Sequence, residues 1–221
     1  MKIWIFGDSF SDNSACRPKD IYYEYDPNPD QPTWNNLLAK RLDVEQVNKA
    51  KGGESNEYIQ YTIQKSWDLI SPDDLVVIGT TLPTRVPIII EKDHRTLEER
   101  IYSSSIANLK NEFIFEYFKK SWVNLDPNVL KEVIIDFVYY FKTPFEKEWY
   151  EHQMEGYSFL IERLKEKKVK VYLWEYNNVW DKFEKITDAT NGEVDDPHWS
   201  WKGHVDMSEY IFTKLMDNKL I

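Results

Sequence analysis

Several features that mark particular classes of protein are scarce or missing in this sequence. Its 221 residues include a single cysteine, Cys16, so the chain cannot form an internal disulfide. No apolar run approaches the roughly 18 residues that a membrane-spanning helix needs. The first residues, MKIWIF, lack the basic start and small-residue cleavage site of a signal peptide. These absences predict a cytoplasmic protein, or one that leaves the cell within a particle, and no membrane partner.

Basic residues are also fewer than acidic residues. Lys and Arg number 28 against 38 Asp and Glu, which gives a net charge of −10. A nucleic acid or an anionic membrane surface would need a basic face, so neither is expected as a partner. The chain is instead rich in aromatic residues, with nine Trp and 14 Tyr, most of which should pack in a core while others line a cleft.

The order of apolar segments predicts an α/β protein. Buried strands are expected at 3–6, 44–47, 75–79 and 169–175, and helices at 34–42, 57–70, 146–167 and around 207–216. This alternation is typical of three layers, α/β/α, around a mostly parallel sheet. We therefore predict a single domain over 1–221 with a helical insertion at about 83–150, including helices over 97–120 and 128–141.

Polar segments follow the predicted strands. They are GDSFSD (7–12), GGESN (52–56) and GTT (79–81), and a fourth, DDPHWSWKGH (195–204), precedes the last helix. Because the carboxyl ends of parallel strands meet at one edge of a sheet, these segments are expected to lie together.

This convergence would supply the parts of a nucleophilic site. A serine such as Ser9 needs a base to take its proton, and His198 is a candidate base. Asp195, three residues upstream, could orient His198 if the chain turns there. Glycine-containing loops offer backbone N–H groups that a substrate oxygen can approach closely.

In their order and spacing, these four segments resemble the sequence blocks of the SGNH (GDSL) hydrolase family. The resemblance spans nearly the whole chain, and the GDS with an acid three residues after its serine is the most specific part. It implies a flavodoxin-like α/β/α sheet and a serine esterase that needs no cofactor or metal. A small acyl ester, such as an O-acetylated carbohydrate, would be the substrate. The family includes divergent phage-borne members, which extends the expectation to a virion or another oligomeric assembly.

The resemblance also assigns roles to individual residues. Ser9 would be the nucleophile, His198 the base, and Asp195 the group that orients the base. The N–H groups of Ser9 and Gly53 would stabilise the oxyanion of the tetrahedral intermediate.

The third block departs from the family pattern, which is Gly-x-Asn-Asp. Here 79–82 read Gly-Thr-Thr-Leu, so Thr81 stands where the oxyanion-binding Asn is expected. Its hydroxyl is a shorter and less rigid donor, and loss of one oxyanion donor costs on the order of 10²–10³ in rate. Asn56 is a candidate substitute donor. Asp8 and Asp12 are expected to brace the nucleophile turn.

Three other interpretations stay open from the sequence alone. Ser9 could belong to a purely structural turn, with His198 packing beside neighbouring tryptophans. Clustered acids and histidines could instead form a metal site, although no compact ligand motif supports one. The residues concerned are Asp195, Asp196, His198 and His204.

The third interpretation is an SGNH-like scaffold with weak or no catalysis, acting as a binding or particle-structural protein. The altered third block and the large aromatic insertion favour it. Arg85, just after that block, is expected either as an ion-pair partner or as a contact to an anionic or sugar substrate.

Overall fold

The structure is a computed structural model, and it describes residues 1–12, 32–52, 54–82, 85–92, 99–105, 146–187 and 194–221. Side chains are described for these residues except 86–92, 99–105, 146, 186–187 and 194–198. The strands are β1 (Lys2–Phe6), β2 (Glu45–Asn48), β3 (Leu75–Gly79), β4 (Arg85–Lys92), β5 (Glu99–Ser105), β6 (Lys170–Trp174), β7 (Lys185–Thr187) and β8 (Val194–Trp199). The helices are α1 (Trp34–Leu42), α2 (Asn56–Lys65), α3 (Glu146–Glu166), α4 (Tyr176–Val179) and α5 (Trp201–Asp217).

A four-stranded parallel sheet forms the centre of the described structure, in the order β2-β1-β3-β6. The apolar runs of β1 and β3, KIWIF and LVVIG, lie at its middle and are almost completely buried. Continuous apolar strands of this kind are typical of parallel sheets covered on both faces. The strand order is the flavodoxin-like one, so the predicted α/β class with a mostly parallel sheet is confirmed.

Alternation along β1 divides the core into two layers. Ile3 and Ile5 pack with α1 and α5 on one face of the sheet. Trp4 and Phe6 point to the other face, where they pack with α2 and α3. The result is the expected α/β/α arrangement. In the described part of the chain, no helix combines the length and apolar character needed to cross a membrane.

Two helices near the carboxyl edge of the sheet begin with serine caps. The Ser55 side chain accepts from Tyr58 N at the start of α2, and the Ser200 side chain accepts from Gly203 N at the start of α5. Such caps satisfy a backbone donor that the helix itself leaves unpaired. α1 spans the residues predicted for it, whereas α2 ends at Lys65, five residues before the predicted end.

The prediction of a helix over 97–120 is wrong for Glu99–Ser105. This segment is β5, which pairs antiparallel with β4 in a two-stranded sheet of its own. The RVPIIIEK segment of β4 is rich in β-branched residues that favour strands, and it provides the pairing partner. The predicted helix over 128–141, and the rest of 97–120, lie outside the described residues.

Candidate active site

The serine of the GDS segment starts a tight turn directly after β1. The carbonyl oxygen of Asp8 accepts from the backbone N–H groups of Ser11 and Asp12, each at 2.9 Å. The Asp8 side chain adds a bond, with Oδ1 accepting from Phe10 N at 3.1 Å. Ser9 thus lies at the first position of a helix-like turn and is 6% exposed.

The loop that follows β2 is hydrogen-bonded to this turn. Asp12 Oδ2 accepts from Gly52 N at 2.8 Å, and Asn48 Nδ2 donates to Ser11 O at 2.8 Å. Asp12 therefore joins the first and second sequence blocks. Gly53, the predicted second oxyanion donor, follows Gly52 in sequence and lies outside the described residues, so its role stays a prediction.

Thr81, from the altered third block, also contacts the nucleophile turn. Its hydroxyl donates to Asp8 Oδ2 at 2.7 Å, and its backbone N–H donates to Asn56 Oδ1 at 2.9 Å. Asn56 Nδ2 in turn donates to Thr81 O at 3.1 Å and to Gln153 Oε1 at 3.0 Å. The side chains of Thr81 and Asn56 thus donate to acceptors within the protein. An oxyanion-binding role for either would require one of these bonds to break.

Helix α3 supports this arrangement with residues that the sequence did not single out. Tyr157 is fully buried and its hydroxyl donates to Asn56 Oδ1 at 3.1 Å. Burial is the main cause that raises the pKa of Tyr157, and the nearby acids Glu57 and Asp8 add to it. Tyr157 therefore stays neutral and remains a donor at ordinary pH. Helical spacing identifies such residues as core, but it does not show that one of them bonds to Asn56.

The C-terminal block contacts the nucleophile turn through Trp199. Trp199 ends β8, and its buried ring lies edge-on to Phe10 with centroids 5.1 Å apart. Trp34 Nε1 donates to Phe10 O at 2.7 Å, and Trp34 N donates to His204 Nδ1 at 3.4 Å. His204 thereby ties the first turn of α5 to the start of α1. Phe10, directly after Ser9, is thus held by contacts with two tryptophans, Trp34 and Trp199.

Asp195 and His198 lie in β8 rather than in the turn considered from the sequence. β8 pairs antiparallel with β7, and the register shifts on both sides of the Ile186–Asp196 pair. Only the backbone of this segment is described, so the roles of Asp195 and His198 stay predictions, as does the metal alternative. Among residues with described side chains, no group of three or more His, Cys, Asp or Glu could hold a metal ion.

One charged residue and one aromatic residue also contact the nucleophile turn. Arg85 forms an ion pair with Asp8, with Nη1 2.9 Å from Oδ2. The ring of Tyr176 lies 5.2 Å from that of Phe10. Burial first, and the negative charge of Asp8 second, raise the pKa of Tyr176, while Arg85 acts in the opposite direction. Tyr176 is thus a neutral aromatic wall beside the turn.

No family model and no curated protein matches this chain. Among solved structures, the chain is similar to a proposed lipolytic protein of the G-D-S-L family from Desulfitobacterium hafniense DCB-2. The two share 16% sequence identity with a TM-score of 0.36, over 95% of this chain and 97% of that chain.

Proposed function

We propose that this protein is a serine ester hydrolase of the SGNH type. Ser9 is the nucleophile, His198 the general base and then the general acid, and Asp195 the carboxylate that orients His198. The N–H groups of Ser9 and Gly53 stabilise the oxyanion. The N-terminal blocks that contribute to this site are joined by hydrogen bonds that the carboxylates of Asp12 and Asp8 accept.

The contact between Phe10 and Trp199 carries the proposal. These residues directly follow Ser9 and His198, and their ring centroids are 5.1 Å apart. Consecutive Cα atoms are about 3.8 Å apart, so a contact between the two following residues keeps the preceding backbones in the same neighbourhood. This supports a pairing of Ser9 with His198 across nearly the whole sequence.

The reaction proceeds in two halves. Ser9 Oγ attacks the ester carbonyl carbon while its proton passes to His198, and the carbonyl oxygen becomes an oxyanion. The C–O bond to the alcohol then breaks, and the alcohol leaves with the proton from His198. Water attacks the acyl-Ser9 ester with His198 again as base, which releases the acid and restores the Ser9 hydroxyl. Backbone donors aimed at the oxyanion lower both barriers.

A small acyl group suits this site. Ser9 is 6% exposed, and the ring of the next residue, Phe10, packs 5.2 Å from the ring of Tyr176. A short acyl group such as acetyl needs little space near the nucleophile, whereas a long lipid chain needs an extended apolar groove. We propose an O-acetylated carbohydrate as the substrate class, in line with the resemblance.

The test compares wild type with Ser9→Ala and a matched control, Ser11→Ala. Ser11 Oγ is buried and has no hydrogen-bond partner among the described residues, so its removal should leave the site intact. We expect wild type and Ser11→Ala to hydrolyse p-nitrophenyl acetate and to be labelled by a fluorophosphonate, and Ser9→Ala to do neither. His198→Ala should lower kcat by about 10⁴-fold or more. Equal turnover by wild type and Ser9→Ala, or no labelling of wild type, would show that the proposal is wrong.

A second candidate function is a catalytically weak scaffold that serves in binding or particle assembly. The internal bonds of Thr81 and Asn56 favour it, because these two candidate oxyanion donors already have acceptors. Normal assembly by Ser9→Ala and His198→Ala, together with turnover by wild type no faster than by Ser9→Ala, would support this function over the first.

A further inference from the structure

A buried carboxylate lies directly beside the candidate nucleophile. Asp8 is 1% exposed, and its partner Arg85 has a side chain that is 14% exposed. Arg85 Nη1 donates to Asp8 Oδ2 at 2.9 Å and to the main-chain oxygen of Glu54 at 3.3 Å. A carboxylate at such depth is costly unless it is paired and hydrogen-bonded, and Arg85 provides the pairing charge.

The two oxygens of Asp8 bind different parts of the chain. Oδ1 accepts from Phe10 N within the nucleophile turn. Oδ2 accepts from the hydroxyl of Thr81 and from Arg85, which both follow β3. The carboxylate is therefore a rigid link between the residues around the nucleophile and the segment in which the family pattern has its Asn.

The position of Arg85 is itself fixed locally. It is the first residue of β4, and its backbone N–H donates to Leu82 O at 3.1 Å, which ties the start of β4 to the end of the third block. The Arg85 guanidinium bridges the nucleophile turn, through Asp8, and the main chain at Glu54. Arg85 brings a full opposite charge to its hydrogen bond with Asp8, whereas Thr81 brings a neutral hydroxyl donor.

We propose that Arg85 is a positioning residue for Ser9, acting through Asp8. This inference rests on the proposed esterase function. With Thr81 in place of the family Asn, the Arg85–Asp8 pair is the charged contact that fixes the nucleophile turn against the end of β3. Loss of Arg85 lets the turn shift while leaving Ser9 and its base chemically intact.

The experiment measures the second-order rate constant for fluorophosphonate labelling of Ser9. Arg85→Gln should be labelled on the order of 10²-fold more slowly than wild type, the loss expected for a displacement of about 1 Å at a reacting group. Arg85→Lys keeps the charge and should recover part of the rate. With p-nitrophenyl acetate, Arg85→Gln should lower kcat and leave KM nearly unchanged. Arg163→Gln is the matched control, because Arg163 pairs with Glu166 on the exposed side of α3.

A second pair of variants distinguishes action through Asp8 from direct contact with the substrate. Asp8→Asn and the double variant Asp8→Asn/Arg85→Gln should be labelled at rates within about threefold of each other, since Arg85 then has no carboxylate to hold. This comparison also decides the question if Arg85→Gln alone does not fold, because the double variant removes both charges of the buried pair.

Three outcomes would overturn the inference. If wild type is labelled at Ser9 and folded Arg85→Gln is labelled equally fast, Arg85 does not position the turn, while the proposed function stands. If the double variant is labelled far more slowly than Asp8→Asn, Arg85 acts directly on the substrate. If wild type is not labelled at all, the proposed function is wrong, and this inference with it.

Discussion

Replacement of Gly79 by alanine should disrupt the carboxyl end of β3. A Cβ atom at this position would lie 2.3 Å from Cζ2 and 2.6 Å from Cε2 of Trp174, and 3.1 Å from Ser11 Oγ. The Trp174 indole cannot move aside easily. It is buried and packs edge-on to Trp34 at 6.3 Å and against Trp199 at 5.9 Å. The new methyl group therefore has to displace a ring that is held on two sides.

The size of the effect follows from this packing. One extra methyl group in a tightly packed core costs about 1–3 kcal/mol, and a clash with an enclosed indole belongs at the upper end. We expect Gly79→Ala to lower the free energy of unfolding by about 3 kcal/mol. Because Trp174 contacts Trp199, which contacts Phe10, labelling of Ser9 should slow as well.

Gly156→Ala is the matched control. Gly156 lies within α3, and an added Cβ would be 2.5 Å from Gln60 Oε1. That atom lies at the end of a flexible side chain and can move at small cost. The other end atom of the same amide, Nε2, donates to Gln153 O at 2.8 Å. Alanine is favoured over glycine in a helix interior by about 1 kcal/mol, which offsets that movement. The stability of Gly156→Ala should lie within about 1 kcal/mol of wild type.

Both variants are compared by urea unfolding, followed by far-UV circular dichroism. With a urea m-value of about 2–3 kcal/mol/M for a chain of this size, Gly79→Ala should move the midpoint down by about 1–1.5 M without a change in m. The control should move it by less than about 0.5 M. An unchanged midpoint for Gly79→Ala, or a larger loss in the control, would refute the steric reasoning.

Three further predictions concern stability and the site. Burial would raise the pKa of Asp74, but its hydrogen bonds, one from Trp4 Nε1, lower it. The contribution of ionised Asp74 to the free energy of unfolding is thus complete above the unfolded-state pKa of about 4. It is lost as the pH falls through the lower folded-state pKa. Asp74→Asn should cost about 2 kcal/mol at neutral pH in urea unfolding, with a shrinking difference below about pH 4; a constant difference would contradict this. Thr81→Val should slow fluorophosphonate labelling about tenfold because Asp8 loses a donor, while Thr81→Ser should not; equal rates would count against that role. Trp199→Leu should lower the unfolding free energy by about 2–3 kcal/mol and slow labelling more than Thr81→Val, and labelling at the wild-type rate would argue against its supporting role.

The central part of the fold could be predicted because its signals are local. The runs IWIF and LVVIG are apolar without interruption, which is typical of strands buried on both faces of a sheet. Trp34–Leu42 has helical spacing, and the helix begins and ends at these residues. For these elements, the pattern of apolar residues and the final packing agree.

The β4–β5 hairpin and β8 could not be predicted in the same way. β5 is held by pairing with β4, and β8 by irregular pairing with β7. Strand pairing depends on a partner segment more than on intrinsic preference, and the ERIYSSS segment alone carries no clear period. The sequence of a segment such as VDDPHW predicts a polar loop, and only the pairing with a partner strand shows that it is a strand.

The residues of the candidate site likewise include some that a local motif predicts and others that depend on the packing of distant segments. The GDS segment led to Asp8 and Asp12, and the family pattern led to the position of Thr81. Nothing in the sequence distinguishes Gln153 from other polar residues of α3, although it accepts from Asn56. That contact exists only because α3 docks against α2, and docking of whole helices is not encoded in a short motif.

The contact between Phe10 and Trp199 has a consequence for how the protein is made. Phe10 of the nucleophile turn precedes Trp199 by 189 positions in the sequence, and α5 follows Trp199. The turn is therefore translated well before its aromatic partner, and one face of β1 is covered only in part, by α1, until α5 docks. The packing of the nucleophile turn and the covering of this face of β1 therefore depend on the same late docking step, and a chain that has not yet docked α5 should hold Ser9 in a loosely packed turn.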